Sequence, residues 1–241
     1  MGKNLTQQAR GKGGPSFTAP SFRYLGEARL KFGVNSAEIL DIHKDQGHVA
    51  PLIEVKYNDG SNGYMIAPEG VFVGQKLSIG EGSEVELGNS LLLKDLPEGT
   101  LVFNIEGAPG DGGKFCRTTG TFGKVVAKTT NSVSIMLPSK KIKEFHINCR
   151  ATVGIVAGAG RKDKPFLKAG KMMHYRWARK KRYPHMSGSA QNAVDHPFGN
   201  KRTSRKSKAR PAPQNAPPGR NVGYIRPRRT GQSKSRKGIM N

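Results

Sequence analysis

The chain has 241 residues, enough for one or two domains, and its 41 Lys and Arg against 17 Asp and Glu leave a formal net charge of +24. Only 35% of the residues are hydrophobic, and 31 Gly and 15 Pro punctuate the rest. No run approaches about 18 consecutive apolar residues, so no transmembrane helix and no membrane partner are expected, and residues 1–8 lack the apolar stretch of a secretory signal.

In chain order, residues 1–33 hold 6 basic and 1 acidic side chains among Gly, Pro and Ser. They read as a basic extension without material for a core. Residues 34–90 reverse the sign, with 9 acidic and 3 basic side chains. Here Ala37–Ile42 and Leu52–Tyr57 are short, β-branched runs. Asn58-Asp59-Gly60-Ser61-Asn62-Gly63 follows the second run, and its residue types tolerate the positive φ of a hairpin connection into Tyr64–Ala67. Val71–Val73 and Leu77–Ile79 continue the pattern, so a first small β-barrel is predicted.

Residues 91–170 carry 13 basic and 6 acidic side chains and repeat the pattern with new residues. Strands are predicted at Leu101–Glu106, Lys124–Lys128, Ser132–Leu137, Lys141–Phe145 and Ala151–Val156. Two consecutive all-β units that close their own edges are the economical reading. A short helix is expected from Gly170 to Arg182, with Met172, Met173, Trp177 and Ala178 on its apolar side. Residues 171–241 hold 19 basic and 1 acidic side chains. Self-repulsion opposes compaction of such a segment unless a polyanion is present. Burial at about 25 cal/mol per Å² cannot offset roughly 1–2 kcal/mol per ordered residue there, so residues 200–241 are expected to order only on a partner.

Enzymatic chemistry finds little support. The six histidines show no metal-binding spacing, and no catalytic residue, metal or cofactor is expected. Two cysteines, Cys116 and Cys149, cannot build a disulfide framework. They read as inert packing residues, in a reducing cytoplasm by default. Gly107-Ala108-Pro109-Gly110-Asp111-Gly112-Gly113-Lys114 resembles a phosphate-binding loop only loosely, because Phe115 stands where Ser or Thr would be needed. Nucleic-acid binding fits better, since each Lys or Arg that neutralises a phosphate releases counterions. Arg176-Trp177-Ala178-Arg179-Lys180-Lys181-Arg182 interleaves an aromatic ring with cations, which suits base stacking and phosphate contact; Trp177 serves equally well as a packing residue. Asp195 is the sole acid of the last 71 residues and precedes His196-Pro197-Phe198-Gly199. Asp195 is placed to hold a ring nitrogen of His196. Pro197 restricts His196 to extended geometry, and Gly199 permits close backbone approach. A structured turn and a functional RNA surface are both open readings of this loop.

Ordered motifs run nearly end to end: Phe17-Thr18-Ala19-Pro20-Ser21-Phe22-Arg23-Tyr24, Leu96-Pro97-Glu98-Gly99-Thr100, Pro109 to Phe115, Cys149-Arg150-Ala151-Thr152-Val153-Gly154, Asp163 to Gly170, Asn192 to Gly199 and Asn215-Ala216-Pro217-Pro218-Gly219-Arg220. On these the chain resembles the universal large-subunit ribosomal protein two family, in its archaeal and eukaryotic style. The resemblance implies an all-β fold, an OB-fold barrel over 34–90 followed by an SH3-like barrel over 91–170, with basic extensions over 1–33 and 171–241. It implies a primary rRNA-binding constituent of the large subunit that supports subunit association, tRNA binding and peptide-bond formation. Its partners would be large-subunit rRNA, neighbouring ribosomal proteins and the small subunit through an intersubunit bridge.

The rRNA contacts are expected from Arg10, Lys12, Arg23, Arg29, Lys114, Arg117, Arg161, Lys162, Arg176, Trp177, Arg179, Lys180, Lys181, Arg182, Asn192, His196, Gly199, Lys201, Arg202, Arg220, Arg226, Arg228 and Arg229. The resemblance puts the loop of Asn192, Asp195, His196, Pro197, Phe198 and Gly199 near the peptidyl-transferase centre, with His196 positioning rather than catalysing. Asn200-Lys201-Arg202 stands where the family commonly has a glycine run. The acids Glu81, Glu84 and Glu86 are expected to face solvent or a basic protein neighbour. The competing reading is a basic translation-factor-like or chromatin-type nucleic-acid-binding module built on the same small barrels.

Overall fold

The computed structural model describes residues 3–199, 211–213, 215–216 and 222–223. They divide into two compact units, Pro20–Lys171 and a second made of the described parts of 1–19 and 172–241.

The Pro20–Lys171 unit is built of antiparallel β-structure. Its first sheet contains β1 (Ser36–His43), β2 (Leu52–Tyr57), β3 (Asn62–Ile66) and β4 (Lys76–Ser78), in the order β3-β2-β1-β4. The second contains β5 (Ser90–Leu92), β6 (Leu101–Phe103), β7 (Gly123–Lys128), β8 (Ser132–Met136), β9 (Ile142–His146) and β10 (Arg150–Val153), in the order β5-β10-β6-β7-β8-β9. Alternation explains the inward faces. Ile39 pairs with Val55 and Val125 with Ile135, and all four side chains are buried. The β2–β3 hairpin closes where Gly60 N–H donates to Tyr57 O at 2.9 Å, using the positive φ of Gly60.

Each sheet has its own core. Ile39, Ile53, Val55, Met65 and Leu77 fill the first, and Leu91, Val102, Val125, Ile135 and Phe145 fill the second. A third cluster joins them, with Ala50, Leu52 and Ile66 from the first sheet's segment packed with Phe103 and Val156 from the second. The unit thus divides its apolar residues among three small clusters.

The predicted strands appear with ends displaced by a few residues, and several expectations need correction. Val71–Val73 is not a strand but leads into a turn at Gly74, whose N–H donates to Ile39 O at 2.8 Å. The strand predicted through Glu106 ends at Phe103, because Asn104 adopts a positive φ of 48°. Ser90–Leu92 is an added strand, whose Leu91-Leu92-Leu93 run shows no alternation. The first 33 residues do contribute to a core, since Ala28 and Leu30 are buried. The helix expected over 170–182 spans Ala169–Trp177 (α2) and buries none of its residues. It stops where Lys180 turns to φ 52° and Lys181 N–H returns to Arg176 O at 2.9 Å. The tail residues 224–241 lie outside the described residues.

Glu106 and Arg150 tie these parts together. The Glu106 side chain is fully buried and Arg150 is 7% exposed, with Arg150 Nη2 donating to Glu106 Oε1 at 2.9 Å. The carboxylate also accepts from the N–H groups of Arg150, Gly112 and Gly110 at 2.8, 3.1 and 3.3 Å. Arg150 reaches on to Lys31 O at 2.6 Å and Leu30 O at 3.4 Å, while Leu30 N–H donates to Gly112 O at 3.1 Å. A buried ion pair survives only when its remaining hydrogen-bonding sites are satisfied, and here the incoming arm and the glycine loop satisfy them. Nearby, the Lys31 ammonium and Ser61 hold the Asp59 carboxyl well below the usual carboxylate range.

A second clasp fixes the arm further back. Asp45 is buried and accepts from Leu25 N–H at 3.1 Å, Gly47 N–H at 3.1 Å and His48 N–H at 2.9 Å. Burial alone would raise its carboxyl, but hydrogen bonds from the His48 ring, then from the His48, Leu25 and Gly47 amides, hold it below its ordinary value.

Removing one partner from the first clasp should cost about 3–5 kcal/mol, so Glu106→Ala should lower the urea midpoint strongly. The double change Glu106→Leu with Arg150→Met should remain destabilised by at least about 2 kcal/mol, because the glycine amides stay orphaned. Recovery of the parent midpoint would show that only the charge pair mattered. For Asp45, a lowered carboxyl stabilises the fold above its unfolded pKa, and that contribution disappears as pH falls through the folded value. Asp45→Asn should therefore lose about 1–3 kcal/mol at neutral pH and converge with the parent in acid, as followed by urea unfolding across pH.

Candidate nucleic-acid interface

The glycine-rich segment 107–114 is the first place to look for an anion cradle, because backbone N–H groups could converge there. Its amides are already committed. Gly107 and Ala108 donate to Asp111 Oδ2 at 2.9 and 3.2 Å, and Gly113 donates to Asp111 Oδ1 at 3.0 Å. Gly110 and Gly112 serve Glu106. Asp111 N–H donates to Ala108 O at 3.2 Å, Lys114 N–H to Ile105 O at 2.8 Å, and Pro109 has no N–H to give. The loop is internally neutralised, so its capacity for phosphate rests in side chains. Lys114 is exposed at its end.

The expected basic residues of this unit divide by use. Arg23, Arg29, Arg161 and Lys162 are exposed, the last two on a 3-10 turn, Ala159–Lys162. Arg29 pairs with Glu27. Arg117 is instead half-buried, donating to Gly113 O at 2.8 Å and Ala28 O at 2.5 Å. Its guanidinium braces backbone. Two exposed rings escaped the sequence reading. Phe22 and Phe32 are each 80% exposed, with the Arg23 and Arg150 guanidiniums 5.3 and 5.6 Å from their centroids. Phe17-to-Tyr24 contains the first, but nothing in the sequence separates a presented ring from a packed one.

In the second unit, α1 (Thr6–Gly11) carries exposed Arg10, and Lys12 follows as its exposed C-cap. Trp177 is 67% exposed, so its ring is not packed into a core among the described residues. Arg179 lies over the Tyr175 ring at 4.1 Å, and Arg182 Nη1 donates to Thr6 Oγ1 at 2.6 Å. Lys180 and Lys181 are exposed, whereas Arg176 is half-buried. A cavity of about 980 Å³ opens beside Arg10, Arg182, His185, Asn192 and Phe198.

The 192–199 loop departs from expectation in its wiring. Asp195 does not hold His196; its Oδ1 takes the Lys3 ammonium at 3.0 Å, while Lys3 N–H donates to Val194 O at 3.2 Å. His196 Nδ1 accepts from Phe198 N–H at 3.0 Å, so the ring proton belongs on Nε2. The backbone amide two residues on replaces the carboxylate because turns on Asn192 O and His196 O fold the loop back on itself. His196 is only 5% exposed. A Cβ on Gly188 would lie 2.4 Å from its Cε1, and one on Gly199 would lie 2.3 Å from Asn192 O. Gly199 therefore serves a contact within the loop. Asn192 and Pro197 are exposed and Phe198 half-buried. Lys201, Arg202, Arg220, Arg226, Arg228 and Arg229 lie outside the described residues.

Among the described residues no cluster of His, Cys, Asp and Glu could hold a metal ion, and no helix is long and apolar enough to cross a membrane. Cys149 is buried and Cys116 half-buried, and burial pushes the Cys116 thiol up to about 11. At pH 7.5 only about one Cys116 in 3,000 would be thiolate. Both cysteines should resist iodoacetamide in the native chain and react after unfolding in urea, as read by intact mass.

Comparison with known proteins gives these surfaces a context. Residues 86–216 match the family model for Ribosomal Proteins L2, C-terminal domain. The large ribosomal subunit protein uL2 of Archaeoglobus fulgidus is 48% identical over 234 residues, covering 96% of this chain and 99% of that protein. Its counterpart in Methanocaldococcus jannaschii is 44% identical, covering 97% and 100%, and that in Haloarcula marismortui is 43% identical, covering 96% and 98%. With the model matching more than half of the chain and the relatives aligned over nearly all of it, the chain belongs to the uL2 family of large-ribosomal-subunit proteins.

Proposed function

We propose that the chain is a structural constituent of the large ribosomal subunit in the cytoplasm, bound directly to rRNA, and not an enzyme. The observation that carries this reading is the family membership joined to the charge layout: a folded β body from which Arg23, Lys114 and Lys162 project, followed in the chain by a segment of 19 basic and 1 acidic side chains. In this reading the first sheet is the OB-fold barrel of 34–90 and the second the SH3-like barrel of 91–170. The extensions 1–33 and 171–241 lie along rRNA. Phosphate contacts supply affinity, while exposed rings such as Trp177 supply stacking on unpaired bases.

The 192–199 loop stands near the peptidyl-transferase centre in this proposal, and the chain helps subunits associate and tRNA bind. His196 positions the loop rather than moving a proton. Its burial and its Nδ1 bond to Phe198 N–H support that role, because a general base must reach the reacting proton directly or through one water.

Titrating rRNA with the full chain over a salt series tests the proposal. Log affinity should fall steeply with log salt, at about 0.7–0.9 per neutralised phosphate. Deleting residues 200–241 should weaken binding and flatten the slope, and an unchanged slope would count against the tail as a phosphate binder. His196→Ala should impair assembly or loop order, yet single-turnover peptidyl transfer by fully assembled particles should persist. Loss of about 10²–10⁴-fold with tRNA occupancy intact would point to general-base catalysis instead.

A further inference from the structure

Within the Pro20–Lys171 unit, the fold collects exposed hydrophobic side chains where the chain is acidic. Ile39 N–H donates to Gln75 O at 3.0 Å and Gly74 N–H to Ile39 O at 2.8 Å. These bonds tie the turn that follows Phe72 and Val73 to the middle of β1. A bulge between Ile39 and Asp41 disturbs the β1–β2 register there, and Leu40 and Ile42 are left exposed. Gln75 Nε2 donates to Leu87 O at 3.3 Å, which ties the backbone of the segment carrying Val85 and Leu87 to the same turn, with the Leu87 methyls lying over Gly70 and Gly154. All six side chains are exposed, Phe72 at 63% and Val73 at 54%. The three segments 38–42, 72–76 and 84–88 also carry Glu38, Asp41, Glu84 and Glu86 against Lys76, with Lys56 of β2 opposite Glu38, and all six are exposed.

Contiguous apolar surface rimmed by charge marks an interaction site, and the sign of the rim selects the partner. Phosphates brought against four carboxylates and two ammoniums would meet a net negative rim and be repelled, whereas a cationic polypeptide would be attracted. The chain's own residues 200–241 have the right charge but few large apolar side chains, Val222, Tyr224, Ile225, Ile239 and Met240. Of these, Ile239 and Met240 stand at the far end. We infer that this surface docks a Lys- and Arg-rich segment of another protein of the assembled large subunit, with a bulky apolar side chain of that segment covering Phe72 and Val73. The inference rests on the ribosomal role proposed above.

The test places the photo-crosslinking residue p-benzoylphenylalanine at position 72, and separately at 87, in the full chain, assembles it into large subunits and irradiates the purified particles. The expected product joins the chain to a Lys- and Arg-rich peptide of a second ribosomal protein, identified by mass spectrometry. Its yield should fall about five- to tenfold when Glu84→Lys and Glu86→Lys are added. Crosslinks to rRNA, to residues 200–241 of the same chain or to an acidic peptide would overturn the inference, as would no crosslink from either position. A yield unmoved by the charge reversals would do the same. In all those cases the chain is present in the particle and the ribosomal role stands. Absence of the chain from purified subunits would instead remove that role, and the inference with it.

Discussion

A carboxylate with no access to water must find all its partners within the protein. Glu106 finds them in the Arg150 guanidinium and in three backbone amides, two of them from the glycine loop. Desolvating such a pair costs several kcal/mol per ion, and the cost is met only if the arm, the loop and β10 arrive together. Arg150 then holds the carbonyls of Leu30 and Lys31, and Arg117 holds those of Ala28 and Gly113. One buried charge pair thus decides where the N-terminal arm joins the β body, and the arm's fixed backbone decides that Phe32 is presented to solvent.

The same economy separates charge that builds the fold from charge left for a ligand. Arg117 and Arg150 spend their donors on backbone carbonyls, and the glycine loop spends its amides on Asp111 and Glu106. Residues such as Lys114 and Lys162 remain at the surface. A polyanion bound as proposed would meet side chains at the surface of an already satisfied frame. This suits a long nucleic acid, whose phosphates lie along a path and do not converge on one point.

The His196 loop follows a related logic. Turns on Asn192 O and His196 O place the Phe198 amide on the imidazole, while Asp195 is drawn away to Lys3. The ring is a keystone of its own loop, packed under Gly188.

Ordered motifs carried the resemblance to the family, while composition and pattern by themselves determined the all-β class, the positions of most strands and the acidic middle between basic ends. Those properties live in local alternation and in charge counts, which survive without coordinates. The β2 run Leu52–Tyr57 is legible because Ile53, Val55 and Tyr57 alternate onto one buried face, whereas the burial of Leu52 on the other face comes from long-range packing with Phe103 and Val156. Tertiary structure alone decided the rest. Glu106 and Arg150 stand 44 residues apart, and no periodicity marks two residues that must share one desolvated site. Lys3 and Asp195 stand 192 apart, so the carboxylate next to His196 in sequence was a natural but wrong partner for it. Exposure of Phe22, Phe32 and Trp177 could not be read from their apolar character, because an aromatic ring is equally at home in a core and on a surface until the packing around it is known. Sequence specifies which groups are available; long-range packing specifies which are consumed in the fold and which remain to bind.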